Sequence, residues 1–103
     1  MDKTKVKEII GRYGVLPVIN ITETEKAVPL ADSLTAGGLP LIEVTLRSES
    51  SLESIKAIKK ARPGMLVGAG TVLTTGKVDA AIDAGADFIV SPGYDPELVR
   101  YCN

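Results

Sequence analysis

The sequence predicts an α/β fold: a leading helix followed by four β/α units with parallel strands, half of a (β/α)8 TIM-type barrel. Short apolar runs begin near residues 15, 39, 66 and 87, and an amphipathic stretch follows each of the first three. Such alternation demands right-handed crossovers and a parallel sheet covered by helices. The unit spacing averages about 24 residues, so eight units would need ~200 residues, the size of a small barrel. An open doubly wound sheet would carry a glycine-rich first loop, whereas Asn20-Ile21-Thr22-Glu23 contains no glycine. At 103 residues the chain has the length of one domain, and 1–103 reads as a single domain.

Each element has its own signal. Val6, Ile9 and Ile10 share one side of a helix over 2–12, which Gly14 breaks. Val15-Leu16-Pro17-Val18-Ile19 reads as a strand buried on both faces. Thr22 and Glu25 have the capping-box spacing for a helix that ends at Gly37-Gly38, with Pro29 forcing a kink or a short first turn. The second strand spans 39–45, with Pro40 tolerable only near its start. Ser50 and Glu53 repeat the box, and Leu52, Ile55 and Ile58 trace a helical face ended by Arg62-Pro63-Gly64. A third strand over 65–69 leads to Gly70-Thr71, Thr74 or Thr75 caps a helix that stops at Gly85, and Phe88-Ile89-Val90 forms the fourth strand. Asp95-Pro96 then reads as an N-cap with proline at the first helical position. A weak repeat aligns 36–43 with 84–91, placing Glu43 and Ser91 at equivalent strand ends.

Composition removes several chemistries. Without histidine there is no Ser-His-Asp triad, imidazole base or His-ligated metal, and the single Cys102 excludes internal disulfides and cysteine-cluster metal sites. No metal or cofactor is expected, and Cys102 reads as a bystander thiol in a reducing compartment. Twelve Lys and Arg balance 13 Asp and Glu without a basic run, which argues against nucleic acid. A charged start without an apolar core is no signal peptide, and no 18-residue apolar run exists, so the expectation is a cytoplasmic chain with no membrane partner.

The most informative segment is Ile42-Glu43-Val44-Thr45-Leu46-Arg47. Alternation puts an acid, a hydroxyl and a guanidinium on one face of a strand's carboxyl end, where a doubly covered strand should be apolar on both faces. Either Glu43 and Arg47 form an ion pair, or Glu43 is an acid/base carboxylate beside an arginine whose planar fork holds a substrate carboxylate. Gly68-Ala69-Gly70-Thr71 fails as a dinucleotide fingerprint because no third glycine follows at the required spacing. It reads either as a turn with a capping threonine or as a close approach for ligand, with the Thr71 hydroxyl in the mouth. Ser91-Pro92-Gly93 closes the fourth strand in the same way.

These motifs, in this order, resemble the 2-keto-3-deoxy-6-phosphogluconate / 4-hydroxy-2-oxoglutarate aldolase family. The resemblance rests on Pro17-Val18-Ile19, Ala36-Gly37-Gly38, Glu43-Val44-Thr45-Leu46-Arg47, 67–73 and 84–93, and so runs over essentially the whole chain. It implies a metal-free class I aldolase on a phosphate-binding barrel, usually a homotrimer, that cleaves a small-molecule 2-keto acid to pyruvate and an aldehyde through a Schiff base. By this resemblance Glu43 matches the acid/base carboxylate, Arg47 the residue that grips the pyruvyl carboxylate, and Thr71 and Pro92 positions lining the pyruvate pocket. Some members carry arginine where this chain has Asn20.

The family's Schiff-base lysine sits on a sixth strand, and the four units here end before it. All eight lysines, Lys3, Lys5, Lys7, Lys26, Lys56, Lys59, Lys60 and Lys77, fall on helices or their flanks. The expectation is the N-terminal half of such an aldolase, with an acid/base and half a substrate pocket but no nucleophile. An inactive half-barrel that self-associates through its strand edges or weakly binds carboxylates is the alternative.

Overall fold

The structure, a computed structural model, describes residues 3–47, 50–90 and 100–102. Helix α1 (Lys3–Tyr13) leads, followed by β1 (Val18–Ile19), α2 (Ala27–Ala36), β2 (Leu41–Thr45), α3 (Ser50–Ala61), β3 (Leu66–Gly70), α4 (Thr75–Asp83) and β4 (Phe88–Ile89). The four strands form one parallel sheet in the order β1-β2-β3-β4. A doubly wound sheet reverses its strand order at a switch point; a barrel does not. The monotonic order among these strands is that of a partial barrel.

Two apolar clusters lie on opposite faces of this sheet. Ile42 and Val44 of β2 and Val67 and Ala69 of β3 pack against Ala27, Ala31, Ile55, Ile58, Val78 and Ala81 of α2, α3 and α4. On the inward face, Leu41 and Leu66, the first residues of their strands, pack with Val6, Ile9, Ile10 and Tyr13 of α1. Helix α1 therefore plugs the amino-terminal end of the sheet, which leaves inward positions nearer the carboxyl ends free to be polar. Every residue of β2 and β3 is buried, whereas β1 and β4 are only partly covered.

Glycine signals place three helix C-termini, and a threonine places the start of α4. Gly14, Gly38 and Gly85 all adopt positive φ after their helices, at 73, 89 and 101°. Thr74 is the N-cap of α4, its Oγ1 accepting from Lys77 N at 3.1 Å. Pro40 lies just before β2, where its carbonyl accepts from Leu66 N at 3.1 Å.

Three expectations change. The Thr22/Glu25 capping box does not form: a 3-10 turn over Thr24–Lys26 precedes α2, and neither has a side-chain cap. Pro29 explains this, because it lacks an N–H and so sits in the first turn of α2, where no donor is needed. The first strand is only two residues long and is not buried on both faces; Val18 is 58% exposed. The repeat is shifted by one: Leu39 N bonds to Leu34 O after Gly38, and Ala86 N bonds to Ala81 O after Gly85. That geometry, with β2 starting at Leu41 and β4 at Phe88, pairs Glu43 with Val90 rather than Ser91. At the start of α3, whose flanking residues 48 and 49 lie outside the described residues, the Ser50 hydroxyl donates to Ile21 O at 2.8 Å and the Ser51 hydroxyl to Thr45 O at 2.8 Å. These bonds tie α3 to the chain leaving β1 and β2. The Asp95-Pro96 cap lies outside the described residues.

Candidate active site at the strand carboxyl ends

Parallel pairing sets the site. Val18 registers with Glu43, Glu43 with Gly68, Thr45 with Gly70, and Gly68 with Phe88. Paired residues point to one face, so Val18, Glu43, Thr45, Gly68, Gly70 and Phe88 share the inward surface. Above the α1 plug, its two buried polar side chains are Glu43 and Thr45, each 7% exposed. Thr45 Oγ1 lies 3.5 Å from Ile19 O, at the long limit of a hydrogen bond.

The Glu43 carboxylate has no hydrogen-bond or ion-pair partner among the described residues; the ion pairs there are Lys26–Glu23, Lys59–Asp87 and Arg62–Asp32. Burial pushes its pKa up from the ordinary carboxylate value. A carboxyl group raised in this way, without a structural partner, is suited to give and take protons nearer neutral pH.

Arg47 does not continue the strand. Pairing ends at Thr45, Leu46 N closes the ladder on Gly70 O at 2.8 Å, and Arg47 stands in the following turn, exposed and without an ion pair among the described residues. The Glu43–Arg47 pair is thus not formed. Thr71 is half-buried and has φ 57°, the one positive-φ non-glycine among the described residues. A β-branched residue there is strained, an arrangement concentrated at functional sites. Glu43 and Thr45 lie on the inward face of β2, and Thr71 directly follows Gly70, the β3 residue paired with Thr45. Asn20 is exposed in the loop after β1, and Pro92 lies outside the described residues.

Sequence reasoning missed what approaches the strand-end glycines. A Cβ on Gly70 would meet Glu43 itself, its Oε2 closest and its Cδ at 2.8 Å; a Cβ on Gly68 would overlap the Phe88 ring. Only the pairing register could have shown this.

No lysine lies on a strand among the described residues, and Lys26, in the turn after β1, pairs with Glu23 at 2.6 Å. Lys59, the partly buried one, donates from its Nζ to Pro63 O at 3.1 Å, Met65 O at 2.9 Å and Asp87 Oδ2 at 2.9 Å, all next to strand amino ends. Among the described residues no three His, Cys, Asp or Glu side chains gather as a metal site, and no helix is long and apolar enough to cross a membrane.

A parallel sheet in barrel order, plugged by a helix at one end and holding a buried carboxyl group at the other, defines a partial β/α barrel with a strand-end site. The sequence matches the family described as "Aldolase: KDPG and KHG aldolase" over residues 6–103, and the chain belongs to that family. It is 44% identical over 95 residues to the 2-dehydro-3-deoxy-phosphogluconate aldolase of Treponema pallidum (strain Nichols), covering 92% of this chain and 45% of that protein. The 2-keto-3-deoxy-6-phosphogluconate aldolase of Zymomonas mobilis ZM4, solved with 3-phosphoglycerate, superposes with a TM-score of 0.87 at 42% identity, over 97% of this chain and 47% of that one. The KDPG aldolase of Legionella pneumophila, solved with pyruvate captured at low pH as a covalent carbinolamine intermediate, gives 0.81 at 43% identity, over 84% of this chain and 42% of that one. The chain spans about half the length of the curated relatives it matches.

Proposed function

We propose that this chain supplies the acid/base half of a class I aldolase site that cleaves a 2-keto acid to pyruvate and an aldehyde, glyceraldehyde 3-phosphate or glyoxylate. The observation that carries the reading is the buried Glu43 carboxylate, unpartnered among the described residues, on the inward face of β2. By the family resemblance, a lysine from a further strand forms an imine with the substrate carbonyl. The imine accepts the electron pair of the breaking C–C bond, and Glu43, through water, takes the proton from the substrate hydroxyl and returns one to the enamine. Arg47 receives the pyruvyl carboxylate, and Thr71 and Pro92 line its pocket. The carbinolamine in the Legionella pneumophila relative supports this chemistry, since a carbinolamine is the adduct that loses water to give an imine.

Residues 1–103 are, in this reading, the N-terminal (β/α)4 half of the barrel and one domain of a homotrimeric assembly without a metal or cofactor. Exposed Val18 of β1 and Val15 just before it favour a second reading, self-association of the chain through its strand edges. Light scattering tests it: a clean monomer that melts cooperatively rules it out.

The main test is a chimera in which residues 6–103 replace the matching segment of the Escherichia coli KHG/KDPG aldolase, 43% identical over 98 residues. The chimera is expected to release pyruvate, and its Glu43→Gln form to lose about 10²–10⁴ in kcat. Full activity of the Gln form would contradict the assignment.

A further inference from the structure

We propose that Gly70 is a positioning residue for Glu43: the missing side chain at 70 is the seat in which the Glu43 carboxylate rests. The inference deepens the reading of Glu43 as proton carrier, and depends on it only for its catalytic consequence.

The register makes the seat visible. The Cα of Glu43 lies beside Gly68, two residues before Gly70 on β3, and Thr45 is the residue opposite Gly70. The glutamate side chain nevertheless ends over Gly70: an ideal Cβ there would overlap Oε2 and lie 2.8 Å from Cδ and 3.0 Å from Cγ. What keeps the carboxylate from settling over Gly68 is the Phe88 ring, which reaches across from β4 and would lie 2.6 Å or less from a Cβ at 68. Adjacent inward glycines on β3 thus have separate tenants, an aromatic ring on the plug side and a carboxylate on the mouth side. With the ring behind it and backbone beneath it, the carboxylate can reach only toward the strand carboxyl ends. Backbone conformation does not demand glycine at 70, since its φ is not among the positive values. An alanine is otherwise as acceptable as glycine inside a strand, or better.

The inward neighbours in register around Glu43, Val18 of β1, Gly68 and Gly70 of β3 and Phe88 of β4, carry no charge. On its own strand Thr45 is neutral, and Arg47 is exposed beyond the strand end. A change in the titration of Glu43 in a Gly70 variant therefore reports the position of its carboxylate.

The test uses the whole chain. The carboxyl carbon of Glu43 is titrated by NMR in the natural sequence and in Gly70→Ala, and melting is compared for Gly70→Ala, Glu43→Ala and the double variant. In Gly70→Ala the carboxylate is displaced toward solvent, so the Glu43 midpoint falls toward the ordinary carboxylate value and Tm drops. In the Glu43→Ala background the same glycine change leaves Tm unchanged or raises it. Should Gly70→Ala alone fail to fold, folding of the double variant supports the seat and its failure overturns it. An unchanged Glu43 midpoint, or a Tm loss as large without Glu43 as with it, also overturns the proposal. None of these readouts needs activity, so an active Glu43→Gln chimera would remove the catalytic role of Glu43 while leaving the seat measurable.

Discussion

Replacing Lys59 by Met tests the structural role of the one partly buried lysine among the described residues. The Lys59 ammonium has three donors, and Pro63 O, Met65 O and Asp87 Oδ2 take them at 3.1, 2.9 and 2.9 Å. Asp87 Oδ2 also accepts from Val67 N at 2.9 Å, so the pair joins α3 to the starts of β3 and β4. The Lys59 stem lies against Gly85, 3.3 Å from where a Cβ would stand. Methionine keeps that stem and removes only the charge and donors. Breaking a fully buried pair costs ~3–5 kcal/mol. The side chains here keep 17% and 10% exposure, so partial hydration lowers the expected loss to about 2–3 kcal/mol. For a domain of this size each kcal/mol shifts Tm by roughly 4–8 °C. Urea or thermal melts of Lys59→Met measure it, with Lys59→Met/Asp87→Asn as the second arm. The double variant is expected to lose less than the two single changes added together, because no charge is stranded. A Lys59→Met chain within about 0.5 kcal/mol of the natural one would refute the assignment of this lysine to stability.

Other outcomes follow from particular side chains. Ser54 is fully buried and its Oγ is the one such side-chain atom without a hydrogen bond among the described residues; Ser54→Ala should raise stability by about 1 kcal/mol in urea melts. Burial raises the Glu43 pKa above its unfolded value, so its contribution is fully present below the unfolded pKa and is lost as pH rises through the folded pKa. Glu43→Gln should therefore flatten the fall in Tm across that window, measured as Tm against pH. Thr71→Gly relieves a positive φ of 57°; with ~1–2 kcal/mol of strain relief against ~0.5–1 kcal/mol of added chain entropy, it should not lower Tm, yet it should weaken pyruvate binding by the chimera.

What the sequence made legible is what depends on neighbours along the chain. Gly14, Gly38 and Gly85 end helices because a positive φ is a local demand, and Thr74 caps α4 through a bond three residues away. Glu43 and Thr45 stood out because a two-residue period on a buried strand should have been apolar. The failures share a cause in competition or distance. Thr22 and Glu25 had the spacing of a cap, but Pro29, without an N–H, moved the helix start past them. Arg47 continued the alternation on paper, whereas pairing with Gly70 closes the strand before it. Lys59 and Asp87 are separated by 28 residues, and Gly70 matters because of Glu43 across the strand pair. Such relations exist only once the register is set.

The proposed function puts the proton-transferring carboxylate, Glu43, in this chain and the imine-forming lysine on a further strand. Incubating the 103-residue chain with pyruvate and borohydride, then measuring its mass, tests that claim directly. No single-site adduct is expected on the chain alone, and a stoichiometric adduct is expected on the relative's own segment in the chimera. A stoichiometric adduct on one lysine of the isolated chain would contradict the claim.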